Sequence, residues 1–476
     1  MTGMNKYKRL LSNTAILGAG TFASKVLVFL LMPLYTAILS AEAFGTADLI
    51  AQTANLLIPL ASVGICDGLF RFTLEAEAND RKKVFTVSVT VLALGSLALA
   101  LIAGAIYLLD GPNIEYLPLI VLYVVCANFH SVCAHYLRAK GRTTLFAVQG
   151  LVNTALTIGL NILLLIVFQL GSTGYVLSVV IADLLLALGL FFGCGLWKDF
   201  GLKFFDRAML RDVLKFSIPY IPTTMLWLVT SVSDRYFVTI FCGTEVHGLY
   251  TAASKLPTLI VLVSGVFIEA WHFSTVKDAL PAERASFFGT VYRNYMSVMF
   301  IGASLIIACS RILTGILLAD SYYSSWQYVP YLAVAMIFSA FSSFFGSVYF
   351  MEKKSVLSML TALAGAIVNV GLNFLLIPKW GALGAALATM LSYMVTYAIR
   401  AYNTAQYLKF DQHHVRVTVN TVLLVLQAYL MIAAIPYWQF AQLAIVILVL
   451  IFNGKGLAVT LFEIFGKKNS KKSKKN

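Results

Sequence analysis

Charged side chains are scarce in this sequence. Only 12% of its 476 residues are Asp, Glu, Lys or Arg, whereas 60% are hydrophobic. Soluble proteins carry about a quarter charged residues, so the composition excludes an ordinary water-soluble fold. Because the apolar residues form long runs, the composition predicts a protein that crosses a membrane several times.

Motifs for catalysis and metal binding are also absent. The six cysteines lie in or beside apolar runs, and no CxxC pair occurs, which excludes a zinc module and a disulfide framework. There is no Walker motif, no GxSxG and no HExxH. Cys126, His130 and Cys133 share one helical face, but cysteines in membrane helices usually pack. We therefore expect no enzyme, no metal and no cofactor.

Fourteen apolar segments are long enough to cross the bilayer, from residues 12–39 at the start to 440–464 at the end. A spanning helix needs about 20 residues, and lipid cannot satisfy the open backbone groups of other structures. The period-2 pattern of a barrel strand is absent from these segments. The sequence thus predicts an all-α polytopic membrane protein with about 14 transmembrane helices.

One stretch of the chain occurs twice. Residues 159–177 read GLNILLLIVFQLGSTGYVL, and residues 371–387 read GLNFLLIPKWGALGAAL. The GLN triplets are offset by 212 positions and the GxxG pairs by 210. A second match, EAFG at 42–45 with EVHG at 245–248, has an offset of 203. Offsets this similar indicate a duplicated unit of about 200 residues.

The duplication predicts two parallel six-helix repeats followed by a C-terminal helix pair. The longest loop lies between spans six and seven and serves as the linker. The expected parts are an N-terminal lobe at 1–197, a cytoplasmic linker at 198–212, a C-terminal lobe at 213–405, an appended helix pair at 406–464, and a basic tail at 465–476.

Basic residues indicate the orientation. Most of the 35 Lys and Arg residues lie in every second loop or in the tail, whereas the intervening loops hold mainly acids. The positive-inside rule then places both termini in the cytoplasm. The net charge of +14 reflects this topology, and we expect the tail to contact anionic lipid and no nucleic acid.

A few charged residues fall inside the apolar segments, where each costs about 2.5–3.5 kcal/mol on insertion scales. The bases are Lys25, Arg235 and Lys255, with Arg71 near a span end, and the acids are Asp48, Asp67, Asp183, Asp234 and Glu269. They could neutralise one another and hold helices together. Alternatively, they could line a water-filled cavity between the repeats that accepts an anionic headgroup, and their number favours this second interpretation.

Four motifs carry a family resemblance. They are KVLVFLLMPLYTAILSAEAFGTADLI at 25–50, GICDGLFRF at 64–72, SDRYF at 233–237 and GLYTAASKLP at 248–257. They resemble the polysaccharide biosynthesis (O-antigen type) flippases of the multidrug/oligosaccharidyl-lipid/polysaccharide exporter superfamily, and the likeness extends over nearly the whole chain.

The resemblance implies that the chain flips a polyprenyl-diphosphate-linked oligosaccharide across the bacterial inner membrane, by alternating access. The basic cavity residues of the family map to Lys25, Arg71, Arg235 and Lys255. Among the acids, Asp48, Asp67 and Asp234 lie in matched motifs, whereas Asp183 and Glu269 rest on burial alone. Expected partners are the lipid-linked glycan and the bilayer, together with a polysaccharide polymerase and glycosyltransferases. Without an ATP site, an ion or electrical gradient or removal of product must drive transport.

Three alternatives stay open to different degrees. A drug or cation antiporter of the same fold would need mainly acidic cavity residues, whereas bases and acids are mixed here. A lipid II flippase differs only in the headgroup that it carries. A membrane enzyme such as a polysaccharide polymerase or ligase would need a large outer loop, and none is present in the sequence.

Overall fold

The fold is entirely helical in the parts of the chain that can be described. A computed structural model describes residues 29–110, 115–277, 284–352 and 354–454, and no strand occurs among them. The chain divides into two compact units, Met1–Tyr236 and Phe237–Asn476. The prediction of an all-α membrane protein is confirmed.

The first unit contains eight helices and the beginning of a ninth. Short π-helical turns, Ile162–Val167 and Gly189–Gly193, extend two of them, and 3₁₀ turns at Leu196–Lys198 and Leu202–Phe204 follow. The helices are α1 (Met32–Ile38), α2 (Ala41–Ala61), α3 (Ile65–Glu75), α4 (Ala78–Asp110), α5 (Leu117–Ala139), α6 (Thr143–Asn161), α7 (Gly171–Leu188) and α8 (Arg207–Ser217).

The boundary between the units falls inside α9 (Tyr220–Cys242). The second unit then contains α10 (Thr244–Lys255), α11 (Thr258–Lys277), α12 (Arg284–Ala308), α13 (Ser310–Leu317), a 3₁₀ segment (Asp320–Tyr328), α14 (Val329–Met351), α15 (Ser355–Thr404), α16 (His414–Ile432) and α17 (Trp438–Gly454). The division into two six-helix lobes, a linker and an appended pair stays a prediction.

Several of these helices can cross a membrane. Among the described residues, eight are long and apolar enough, and the bent pairs α2–α3 and α10–α11 raise the number to ten. One of the eight, α15, has 50 residues and breaks at Gly381, so it covers two of the predicted spans. The first predicted span, 12–39, lies mostly outside the described residues. The chain is therefore a multi-pass membrane protein.

Both copies of the repeated stretch break their helix at a glycine. Gly171 has a φ of +54° and Gly381 a φ of +57°, a region that residues with a side chain rarely adopt. The asparagines of the two GLN triplets, Asn161 and Asn373, are both buried. The duplicated sequence thus forms the same local turn in each unit.

The second glycine of each GxxG pair allows a close backbone approach. A Cβ atom on Gly174 would lie 3.2 Å from the carbonyl oxygen of Leu164. The equivalent atom on Gly384 would lie 2.5 Å from the carbonyl oxygen of Leu376. Leu164 and Leu376 are themselves separated by 212 positions, as the GLN triplets are. The two hairpins therefore share this backbone contact as well as their sequence.

The other repeated motif also begins equivalent helices. α2 starts at Ala41 and α10 starts at Thr244, which reproduces the offset of 203 between EAFG and EVHG. Each helix is the first part of a bent pair, with bends of 50° and 43°. The bends differ in position, because α2 continues to Ala61 whereas α10 ends at Lys255.

Aromatic ring pairs contribute to the packing within each unit. In the first, Tyr136 of α5 stacks on Phe85 of α4 with ring centroids 4.3 Å apart. In the second, Phe344 of α14 packs 5.2 Å from Trp271 and 5.1 Å from Tyr292. Such ring pairs add about 0.5–1.5 kcal/mol each beyond area burial, and they hold the helices in a defined arrangement.

Candidate functional site

The candidate site begins with a polar stripe on α2. Ser40 caps this helix by accepting a hydrogen bond from the backbone N–H of Ala43, at 3.1 Å. Asp48, Gln52 and Asn55 follow at spacings of four and three residues, so all three share one helical face. A polar stripe on a membrane helix must face protein or water, because lipid cannot solvate it.

The first part of α9 runs antiparallel to α2 and α3. The Tyr236 hydroxyl lies 2.7 Å from the hydroxyl of Thr53, which is in the middle of α2. At the other end, a Cβ atom on Gly64 would lie 3.2 Å from the carbonyl oxygen of Ser217, just before α9. This close approach sets the register that places Arg235 opposite Asp48.

Arg235 and Asp48 form an ion pair. The Nη1 atom of Arg235 lies 3.1 Å from Oδ2 and 3.2 Å from Oδ1 of Asp48. The Gln52 amide donates a further hydrogen bond to Oδ1 at 3.2 Å. Only 17% of the Arg235 side chain and 10% of the Asp48 side chain are exposed. Desolvation makes such a pair costly to break, since the remaining charge would stay buried alone.

A cavity of about 290 Å³ lies further along the same helices, still within the first unit. Its walls combine polar and apolar side chains. It is lined by Asn55, Ile58, Pro59, Ser62, Gly64, Cys66, Asp67, Asn128, Ser131, Ile221, Thr224 and Leu228. The exposed Asp67 is the only ionisable carboxylate in this lining. The polar stripe of α2 thus continues from the ion pair to the cavity at Asn55.

A second polar network links α5, α6 and α7. Asp183 Oδ1 lies 2.9 Å from His130 Nδ1 and accepts a hydrogen bond of 2.9 Å from the Asn153 amide. The other ring nitrogen of His130 lies 2.6 Å from Gln149 Oε1. The Tyr123 hydroxyl is within electrostatic range of both Asp183 and Asp48, so the two networks occupy neighbouring parts of the first unit.

The structure brings together only some of the residues singled out from the sequence. Asp48 pairs with Arg235, and Asp234 is buried one residue away on α9. Arg71 is exposed, lies 3.9 Å from Glu75, and covers the Phe216 ring at 4.7 Å.

Three further candidates are placed elsewhere or not described. Lys255 ends α10 in the second unit and is half-buried. Lys25 and the side chain of Glu269 lie outside the described residues. A shared diphosphate site formed by the four bases stays a prediction.

Sequence reasoning missed the uncharged polar residues. Gln149 and Asn153 are spaced four residues apart within an apolar segment, and both bond to the His130–Asp183 pair. Their spacing, which places both amides on one face of α6, was the available signal. Cys126 and Cys133 are buried free thiols. In the described part of the chain, no group of His, Cys, Asp and Glu could hold a metal ion.

Comparison with known families fits this arrangement. The model of the family "Polysaccharide biosynthesis protein" matches residues 10–272, more than half of the chain. The chain belongs to the polysaccharide biosynthesis protein family. The matched residues include α2, α5, α7 and α9, and hence both members of the Asp48–Arg235 pair. No curated protein matches the sequence significantly.

Solved structures share the fold. The "Lipid II flippase MurJ, inward closed conformation" aligns with a TM-score of 0.70 and 14% identity, over 95% of this chain and 99% of that one. An inward-facing multidrug resistance MATE family transporter of the MOP superfamily aligns with a TM-score of 0.63 and 13% identity, over 80% and 95%. At this identity the likeness establishes the fold. The chain is thus a multi-pass membrane protein of the polysaccharide biosynthesis protein family, with the fold of these transporters.

Proposed function

We propose that this protein flips a polyprenyl-diphosphate-linked oligosaccharide across the bacterial inner membrane for synthesis of a cell-surface polysaccharide. The family match supports the biosynthetic role. The observation that carries the proposal is the ion pair of Asp48 with Arg235, a permanent cation whose side chain is only 17% exposed among apolar helices.

A diphosphate needs such a cation. Desolvating its charge in hydrocarbon is prohibitive, and fixed hydrogen-bond donors must replace the lost water. The guanidinium group of arginine stays charged and binds phosphate oxygens through two parallel N–H groups. The prenyl tail can remain in lipid throughout, so only the sugar and the diphosphate require a polar path.

Asp48 serves in this mechanism as the partner of Arg235 while no substrate is bound. An incoming diphosphate competes with the Asp48 carboxylate for the same guanidinium N–H groups. The Gln52 amide, which donates to Asp48 at 3.2 Å, keeps that carboxylate solvated when Arg235 turns to the substrate. This exchange of partners costs less than leaving the Arg235 cation unpaired, since each charged group retains a partner.

The remaining bases extend the same proposal. Lys25 and Lys255 hold the diphosphate with Arg235, and Arg71 lies nearer the cytoplasmic mouth of the path. Asp67, Asp183, Asp234 and Glu269 supply the balancing acids. Alternating access moves the headgroup, and both termini are cytoplasmic. The glycan is supplied by glycosyltransferases and consumed by a polysaccharide polymerase.

One other function has specific support. The lipid II flippase MurJ shares the fold over nearly all of both chains, and lipid II also carries a diphosphate. The same basic residues would serve either substrate, because the two differ in headgroup sugar and peptide. A drug or cation antiporter is less well supported, since Arg235 would repel a cation.

Complementation distinguishes these functions. The full chain is expressed in cells that lack their polysaccharide flippase, and surface polysaccharide is measured relative to inserted protein. The proposal expects export to return, and expects Arg235→Gln to abolish it at normal protein levels. The matched control is Arg211→Gln, which removes a charge from the exposed face of α8 and should leave export unchanged. Rescue of cells depleted of their lipid II flippase, without rescue of polysaccharide export, would favour the second function instead.

A further inference from the structure

A polar cavity lies at one end of three membrane helices in the second unit. Its volume is about 340 Å³, and it sits where α12 and α16 begin and where the chain leaves α15. Spanning helices begin and end at the level of the lipid headgroups, so the cavity faces that layer. The lining residues are Ala285, Ser286, Gly289, Thr290, Arg293, Lys409, Phe410, Asp411 and His413.

The cavity has an excess of positive charge. Arg293 and Lys409 line it, and Arg416 follows in the first turn of α16. The only carboxylate in the lining is that of Asp411, which pairs with His413 at 3.0 Å and leaves the other cations uncompensated. The Asp411 carboxylate, which pairs with His413, cannot neutralise Arg293, Lys409 and Arg416 as well.

The two arginines are short of acceptors. Within the described residues, Nε of Arg293 and Nε of Arg416 are both buried without a hydrogen-bond partner. Arg416 donates through Nη2 to the Ser297 hydroxyl at 3.1 Å and to the carbonyl oxygen of Phe452 at 2.8 Å. Ser297 in turn donates to the carbonyl oxygen of Arg293 at 2.7 Å, so the two guanidinium groups lie close enough to repel each other. Buried donors without acceptors normally mark a missing partner.

A phosphate group would complement the positive charge and the unpaired hydrogen-bond donors of this cavity. It supplies negative charge and several acceptor oxygens, and arginine binds it through charge-assisted hydrogen bonds. Basic cavities between membrane helices at the headgroup level bind the phosphates of anionic lipids. We propose that the cavity formed by Arg293, Lys409 and the start of α16 binds the phosphate of an anionic phospholipid headgroup. This site is separate from the Asp48–Arg235 pair and does not depend on the proposed transport function.

Lipid titration of the purified full chain tests the proposal. Binding of phosphatidylglycerol, phosphatidylcholine and inorganic phosphate is measured in detergent by native mass spectrometry and by thermal shift. We expect the wild-type chain to bind phosphatidylglycerol in preference to the zwitterionic lipid. The Arg293→Gln/Lys409→Gln variant should lose at least about tenfold in affinity, because the phosphate loses two cationic partners.

Controls make each outcome decisive. Lys409→Gln alone changes an exposed side chain and should also weaken binding, which keeps the test valid if the double variant does not fold. Arg211→Gln removes the same charge from α8 and should leave affinity unchanged. Equal binding by the wild-type and double-variant proteins, or an equal loss in the Arg211 control, would overturn the proposal. Binding of inorganic phosphate with the same variant dependence would instead identify a soluble anion as the ligand.

Discussion

The Asp48–Arg235 pair yields the sharpest prediction. Asp48→Asn or Arg235→Gln alone leaves one charge nearly buried, because the two side chains are only 10% and 17% exposed. Removing one partner of a buried pair costs about 3–5 kcal/mol, and the residual exposure places the expected loss for each single variant at the lower end, about 3 kcal/mol. The double variant leaves no charge alone and should lose less than about 1 kcal/mol, which gives a coupling energy of about 5 kcal/mol.

The assay is equilibrium unfolding of the four proteins in the same bilayer mimetic. The matched control is the exposed ion pair of Arg71 and Glu75. Its Nε and Oε1 atoms are 3.9 Å apart, and its side chains are 56% and 73% exposed. Its coupling energy should be below about 0.5 kcal/mol, as for other exposed pairs spaced four residues apart on a helix. A coupling energy below about 1 kcal/mol for Asp48 and Arg235 would refute the reasoning.

Export by the same variants separates pairing from phosphate binding. If Arg235 only neutralises Asp48, the double variant should recover much of the export that each single variant loses. If Arg235 also holds the substrate diphosphate, the double variant should be stable and yet inactive. Full export by the double variant would remove Arg235 from the proposed path.

Three further predictions concern other parts of the chain. In a cysteine-free background, a cysteine at Leu202 should react with a membrane-impermeant reagent only from the cytoplasm, and one at Tyr323 only from outside. The reverse pattern of reaction would contradict the proposed topology. Gly384→Ala should lower the free energy of unfolding by about 1–3 kcal/mol, since its methyl group would meet a backbone carbonyl. Gly371→Ala has open space around its methyl group and should not lower this free energy. Equal effects of the two variants would contradict the close backbone approach at Gly384. Hydrogen bonds from two backbone N–H groups of α8 lower the pKa of Asp206. The Asp206 carboxylate should therefore stabilise the fold above its unfolded pKa of about 3.9, and this stabilisation should disappear as the pH falls through the lower folded pKa. Thermal unfolding of the Asp206→Asn variant should lack this pH dependence.

Periodicity, composition and repeats were sufficient to predict the helical architecture. Hydrophobic runs locate the spans because lipid imposes the same length on each one. The repeated GLN and GxxG motifs form the same turn in both units, since the need for glycine at a positive φ is a local property of the chain. Gly171 and Gly381 both show it.

Partnerships between helices were harder to predict. The sequence did not indicate which base would pair with Asp48, and the structure pairs it with Arg235. Such a pairing depends on the register of α9 against α2, which the close packing at Gly64 helps to set. Similarly, the position of Arg400 in the sequence does not show that it is buried in α15, where it donates to the carbonyl oxygen of Ser342 at 2.7 Å.

The central claim concerns movement of a diphosphate-linked glycan, and a transbilayer assay measures it directly. Purified protein is reconstituted into vesicles that contain a fluorescent polyprenyl-diphosphate-linked oligosaccharide, and an impermeant quencher reports the fraction reachable from outside. We expect the wild-type chain to expose the inner pool, whereas Arg235→Gln should leave that pool protected, as in protein-free vesicles. The proposed function would be contradicted if the wild-type chain left the inner pool as protected as it is in protein-free vesicles. Full exposure of that pool by the Arg235→Gln variant would also contradict it.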